Sequence, residues 1–206
     1  LYFRIRSLEG HAASNSLESD TRIARRCGDA IELKEHLRIY DSDEDDLIED
    51  YRDTAERLVE NELSISLQSQ TLVLRLDRFP AWEIPLPMPP LISITSITYT
   101  DVNGTSQTVS SSDYTADITS TPGNVHPAFG ESWPSTRNIP NAVVITYVAG
   151  FANAAAVPPA VRSAIMLIGG ELHENRERVT DLSLQDLAIY PRLMANHACY
   201  FEFEYF

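Results

Sequence analysis

Apolar residues recur at helical spacing soon after residue 28. Asp29 and Glu32 fit a capping box at the start of a short helix. A second helix, capped by Ser42 or Asp43, is predicted to run to about Glu62 because its apolar residues recur every three or four positions. These residues are Leu47, Ile48, Tyr51, Ala55, Leu58 and Val59. The carboxylates in its first turn complement the helix dipole.

The period changes from helical to alternating after residue 63. Strands are predicted where β-branched and apolar residues alternate with polar ones, at residues 71–76, 91–99, 105–109, 113–118 and 142–148. Asn103 and Gly104 supply a hairpin turn, because both residues tolerate a positive φ. Residues 79–90 and 121–140 are rich in proline and are predicted to be loops.

Helical spacing returns near the end of the chain. Pro158 and Pro159 fit the first turn of a third main helix, and Gly169 and Gly170 are expected to let another helix approach it closely. The fold class is therefore α+β, a small helical bundle with an antiparallel β insertion between the second and third main helices. The predicted domains are a flexible arm at 1–28, the bundle at 29–62 and 156–195, the insertion at 63–155, and a docking tail at 196–206.

The charge of the chain excludes several functions. The net charge is −14, and residues 29–62 hold fourteen acids against four bases. With Lys34 as its single lysine, the chain is not expected to grip DNA, and anionic membranes would repel it. No stretch approaches the roughly 18 apolar residues of a membrane span, and the first residues do not form a secretion signal, so synthesis in the cytosol is expected.

Candidate catalytic and metal-binding groups are few. His173 and Glu177 lie four residues apart on a helix, but the second histidine of a metalloprotease motif is missing. Asp41, Asp43 and Asp45 begin like a calcium loop, yet the glycine and glutamate that such a loop needs later are absent. Cys27 and Cys199 belong to no recognisable motif. We therefore predict no enzyme activity, no metal and no cofactor, with a hydrolase centred on His173 as a remote alternative.

Aromatic residues crowd the C-terminus and alternate there with acids. Such a segment is predicted either to dock on a partner or to fold back on the β insertion. The docking residues are Tyr200, Phe201, Phe203, Tyr205 and Phe206. A β-rich module with a carbohydrate site lined by Trp82, Trp133 and Tyr114 is an alternative, although the proline-rich context favours tryptophans that anchor loops.

Seven segments form a recognisable series along the chain: 32–38, 43–48 with Tyr51, 84–87, 90–104, 144–150, 157–164 and 174–177. In this order and spacing they resemble the head-tail connector proteins of tailed bacteriophages, also called neck adaptor or head-completion proteins. The resemblance covers about residues 29–195. Gene transfer agents, which are domesticated phage particles, use similar proteins, and the sequence does not separate the two.

The resemblance implies a structural virion protein, assembled in the host cytoplasm and located in the neck. Such proteins form a ring, typically of twelve copies, under the portal protein, and receive a tail terminator or stopper protein while DNA passes through the lumen. The C-terminal tail would then dock on the portal. A tail terminator or another neck protein is the alternative in the same setting.

Two further sets of residues follow from the expected ring. Complementary charges would join neighbouring copies through Arg52, Arg57, Glu174, Arg176, Glu177 and Arg178. Acids that line the lumen would repel phosphate and let DNA pass, and the candidates are Glu44, Asp45 and Asp46.

Overall fold

A computed structural model describes residues 30–175 of the chain. Three α-helices occur in this range, α1 (Ala30–Leu37), α2 (Asp45–Leu63) and α3 (Pro159–Glu174), together with one turn of 3₁₀ helix at Ala154–Ala156. Seven strands lie between α2 and α3: β1 (Gln70–Leu76), β2 (Ile84–Pro85), β3 (Leu91–Thr100), β4 (Ser106–Thr108), β5 (Tyr114–Asp117), β6 (Asn124–Pro127) and β7 (Val143–Ala149). This order confirms the predicted α+β class. None of the described helices is both long and apolar enough to span a membrane.

The described residues form two compact units. The β unit comprises Ser69–Gly150, and the helical unit comprises residues 30–68 and 151–175. The predicted arm at 1–28 and tail at 196–206 lie outside the described residues.

The ends of α2 differ from the predicted capping. Glu44 occupies the N-cap position and makes no side-chain capping bond, so the prediction that Ser42 or Asp43 caps this helix is wrong. Asp45 and Asp46 still place carboxylates in the first turn, where the helix dipole favours them. At the other end Ser64 adopts a left-handed conformation with φ of 53°, and its N–H donates to the Glu60 carbonyl.

Apolar side chains of α2 and α3 form the core of the helical unit, together with residues that follow or precede them. The buried members are Ala55, Val59, Leu63, Ile65, Leu67, Val157, Val161, Ala164, Ile165, Ile168 and Leu172. Gly169 lies against Leu33 of α1, and a Cβ at this position would come within 2.9 Å of a Leu33 methyl carbon. The expected close approach of a helix at the glycine pair is therefore confirmed.

A four-stranded antiparallel sheet, in the order β1-β7-β3-β4, forms the larger part of the β unit. Alternate residues of β7 are buried, which places Val143, Ile145, Tyr147 and Ala149 on the core face. The Tyr147 hydroxyl is buried and donates to the Pro87 carbonyl at 2.8 Å. Burial raises the pKa of this phenol, so the group remains a neutral donor.

The predicted hairpin between β3 and β4 is confirmed. Asp101 accepts hydrogen bonds from the N–H groups of Asn103 and Thr105, both at 2.9 Å. Gly104 has a φ of 90°, a conformation that favours glycine. These hydrogen bonds lower the pKa of the Asp101 carboxyl, as expected for an ionised group that accepts several donors.

A three-stranded sheet, in the order β2-β6-β5, completes the unit. β2 and β6 lie in the two proline-rich stretches that were predicted to be loops, so that prediction is wrong for residues 84–85 and 124–127. Both strands are short, and Pro85 and Pro127 are tolerated because β2 is an edge strand and Pro127 is the last residue of β6.

Candidate functional site

Polar and charged side chains from all three helices meet near the start of α2. On α1, the Lys34 ammonium group contacts the Asp45 carboxylate and the Asp41 carbonyl. On α3, His173 Nε2 lies 3.3 Å from Glu44 Oε2. The His173 ring also makes an edge contact with Tyr51, with ring centroids 6.3 Å apart. The arrangement joins the three helices at one place, which we call the helix junction.

The three acids predicted to line the lumen lie at this junction, and they are not equivalent. Asp45 pairs with Lys34, and Glu44 lies beside His173. Asp46 is exposed. Glu44 and Asp45 therefore contribute to the packing of their own chain, and their role toward DNA stays a prediction.

The outer side of α2 is acidic. Asp46, Glu49 and Asp50 are exposed, and Asp53 is half-buried. The spacing of three and four residues places them on neighbouring turns, opposite the buried residues of the same helix. The acidic surface of α2 therefore continues for more than one helical turn after Glu44, Asp45 and Asp46.

The residues predicted to join neighbouring copies fall into three groups. Arg57 and Glu174 are exposed and available for contacts between copies. Arg52 is only 2% exposed, and its guanidinium group contacts Asp53 and lies 3.4 Å from Glu49 Oε1. Arg176, Glu177 and Arg178 lie outside the described residues, as do the predicted docking residues from Tyr200 to Phe206. The contact between copies stays a prediction for all of them.

A buried carboxyl group was not predicted from the sequence. Glu56 is 6% exposed, and burial raises its pKa to about 7 against the opposing effect of Arg52. Burial also raises the pKa of Glu60, against a hydrogen bond from the Leu67 N–H. The signal was the spacing: Arg52 and Glu56 follow Ile48 at intervals of four residues, on the side of α2 that faces the core.

Aromatic rings of the proline-rich loops stack on one another in the β unit. Phe79 stacks on Trp133 with ring centroids 4.8 Å apart and contacts the edge of Tyr99. The Trp133 indole N–H donates to the Trp82 carbonyl at 2.6 Å. Trp82 itself is 63% exposed and stacks on His126.

These contacts bear on the carbohydrate alternative. Trp133 and Tyr114 pack against the core of the β unit, whereas Trp82 projects into solvent. A sugar site of three open rings would need all of them accessible. The geometry instead favours the interpretation that Trp133 anchors its loop.

Among residues 30–175, no three His, Cys, Asp or Glu side chains lie close enough together to bind an ion. His173 is half-buried at the helix junction beside Glu44, and Glu177 lies outside this range.

Comparison with protein families matches residues 31–127 to the family described as phage gp6-like head-tail connector protein. No curated protein matches the chain. Among solved structures, the chain resembles one in the neck of an empty GTA particle computed with C6 symmetry, with 18% identity, a TM-score of 0.73 and 97% of each chain covered.

Two further structures give the same picture. One is the virion of a native gene transfer agent particle, with 17% identity, a TM-score of 0.73 and 97% of each chain covered. The other is the neck of a native GTA particle computed with C12 symmetry, with 17% identity, a TM-score of 0.70 and the same coverage. At this level of identity the likeness establishes the fold.

The comparisons confirm the resemblance that the sequence suggested. The matched family consists of structural virion proteins and is not an enzyme family, which agrees with the prediction that the chain is not an enzyme.

Proposed function

We propose that this chain links the DNA-filled head of a particle to its tail, as a head-tail connector. Residues 31–127 match the family of that description. The family match is the observation that carries the proposal. The similar fold of chains from GTA necks supports it, because nearly the whole described architecture has a counterpart there.

The proposed assembly is a ring of twelve copies under the portal protein. The C6 and C12 symmetries of the similar neck structures support a cyclic arrangement. A cyclic ring needs two different surfaces on each copy. Exposed Arg57 and Glu174, on different helices, are the described candidates for these surfaces, and 176–178 would add to the second.

Charge reversal tests these contacts. Replacing Arg57 with Glu should weaken the ring, and combining it with Glu174→Arg should restore it if the two residues meet across the interface. Mass photometry of the protein bound to portal-bearing heads would count the copies. A double variant that is no better than the single one would contradict the pairing.

The acidic side of α2 is proposed to face the lumen. Phosphate is repelled by carboxylates, so DNA would pass without being held. Asp46→Lys is the cleanest change, because Asp46 is exposed while Glu44 and Asp45 contact other helices. The expected result is slower genome ejection, with Asp113→Lys in the β unit as the control. Equal ejection rates for the two variants would refute the assignment.

The C-terminal tail is proposed to dock on the portal through its aromatic residues. Removing residues 196–206 should abolish binding to portal-bearing heads, since these rings would supply the main apolar contact. Heads that still bind the truncated chain and acquire tails would show that the tail is not the anchor. A chain that binds isolated tail tubes and not portals would instead fit a tail terminator, the alternative function.

Gene deletion tests the proposed connector role as a whole. Deleting the gene in a producing strain should leave DNA-filled heads without tails, visible by electron microscopy. Complementation with the intact gene should restore tailed particles. Normal tailed particles in the deletion strain would refute the connector role.

A further inference from the structure

The last turns of α2 hold the segment 65–68, which leads into β1. Glu60 Oε1 accepts the Leu67 N–H at 2.8 Å. Glu56 Oε2 accepts the Gln68 side-chain amide at 3.1 Å. The Ser66 hydroxyl donates to the Gln68 carbonyl at 2.9 Å. Two carboxyl groups one helical turn apart thus bind consecutive residues of this segment.

One of these carboxyl groups is incompletely satisfied. Glu56 Oε1 is buried and has no hydrogen-bond partner among the described residues. Ser66 and Leu67 are almost fully buried, so the segment shields this side of α2 from water. An ionised carboxylate in such a place loses hydration that its few hydrogen bonds do not replace.

The charged groups around Glu56 do not remove this cost. Arg52, Asp53 and Glu60 on α2 act on its carboxyl group, and two of these three are acids. Arg52 also contacts Asp53 and Glu49, so its charge is shared.

Among the described helices, the charged groups that act on the Glu56 carboxyl all lie on α2, and Arg162 of α3 is not one of them. α3 contributes apolar side chains to the shared core, namely Val161, Ala164, Ile165 and Ile168. On α1, Lys34 contacts Asp45 at the opposite end of α2.

We propose that Glu56 is a proton-operated latch: its carboxyl group holds a proton while segment 65–68 covers it, and release of that proton to solvent favours opening of the segment. Opening admits water to the carboxylate, which relieves the cost of burying the charge. The elevated pKa near 7 places the change close to neutral pH. The order of the connection into β1 then depends on pH, a property beyond the proposed connector role.

Hydrogen exchange of the intact chain tests the latch. The Leu67 amide is the reporter, because its N–H is bonded only while the segment is closed. With a closed-state pKa near 7 and an ordinary pKa when open, its protection factor should fall by about tenfold between pH 6 and pH 8.5. Protection factors already correct for the intrinsic pH dependence of exchange.

Two variants of α2 show whether the pH dependence of Leu67 protection comes from Glu56. Glu56→Gln keeps the size and a hydrogen-bonding oxygen but cannot ionise, so its Leu67 protection should lose most of the fall with pH and keep only the part that Glu60, the direct partner of the Leu67 N–H, contributes. Glu62→Gln changes an exposed residue and should behave as the unmodified chain does. A constant protection factor in the unmodified chain, or an unchanged pH dependence in Glu56→Gln, would overturn the proposal.

A second measurement does not depend on any variant folding. The side-chain carboxyl carbon of Glu56 can be titrated by NMR in the unmodified chain. A midpoint near 7 supports the latch, and a midpoint near that of an exposed glutamate overturns it. Neither result bears on whether gene deletion yields tailless heads, so the latch and the connector role are tested separately.

Discussion

Adding one methyl group at Gly169 should destabilise the helical unit, although alanine is the better helix former. Alanine is favoured over glycine by about 1 kcal/mol within a helix. At Gly169, however, the new Cβ would lie 2.9 Å and 3.1 Å from two methyl carbons of Leu33. Leu33 is 1% exposed, so its side chain has little room to move. Overpacking of this kind costs about 1 to 3 kcal/mol, which gives a net loss of about 1 kcal/mol.

The neighbouring glycine supplies a matched control. A Cβ at Gly170 would lie 3.6 Å from Leu37, an ordinary contact. Gly170→Ala should therefore keep the full gain and stabilise the unit by about 1 kcal/mol. The two variants differ in position by one residue, and their free energies of unfolding should differ by about 2 kcal/mol.

Urea unfolding followed by circular dichroism at 222 nm measures the helical unit. A double-mutant cycle isolates the contact: in a Leu33→Ala background the obstructing methyl groups are gone, so Gly169→Ala should become stabilising. The reasoning is refuted if Gly169→Ala stabilises the intact chain as much as Gly170→Ala does.

Three further results are expected from urea unfolding, with the fluorescence of Trp82 and Trp133 reporting the β unit and circular dichroism reporting the helical unit. Tyr147→Phe should cost about 1 to 2 kcal/mol because it leaves the buried Pro87 carbonyl without its donor; a loss below about 0.5 kcal/mol would contradict this. Glu56 binds its proton more tightly in the folded chain than in the unfolded chain. The free energy of unfolding should therefore fall by up to roughly 3 kcal/mol as the pH rises from 4.5 to about 7, and should not fall further above that. The Glu56→Gln variant should lack this pH-dependent loss. Lys34→Met should cost about 0.5 kcal/mol at low salt by removing the contact with Asp45, and a loss that persists in 1 M salt would argue against an ionic cause.

The sequence predicted the elements whose periodicity is strong. Helix α2 and strand β3 end within two residues of their predicted limits. Strand β6 was missed because Pro127 and the surrounding prolines mark a loop locally, whereas pairing with β2 and β5 makes these residues a strand. Short strands of this kind depend on partners distant in sequence, which a local pattern does not contain.

The candidate site residues likewise include some whose exposure the sequence predicts and some whose burial depends on the tertiary fold. Charge alone predicts that Arg57 and Asp46 are exposed, since charged residues usually lie at the surface, and both are exposed. Their roles stay predictions. The same reasoning predicts a surface position for Arg52, and this is wrong because its side chain is buried within the chain. The role of Glu56 was missed likewise, because the segment that covers it is defined only by the tertiary fold.

Strands β1 and β7, the first and last strands of the β unit, pair with each other, and this pairing brings the two ends of the unit together. Gln70 and Ala149 are opposite each other in the register, close to the first and last residues of the β unit. Opposed residues of antiparallel strands lie about 5 Å apart, so the chain enters and leaves this unit at nearly the same point. A short turn can therefore bridge the gap if the unit is removed. We therefore expect that changes in the length of the β unit leave the core of the helical unit intact.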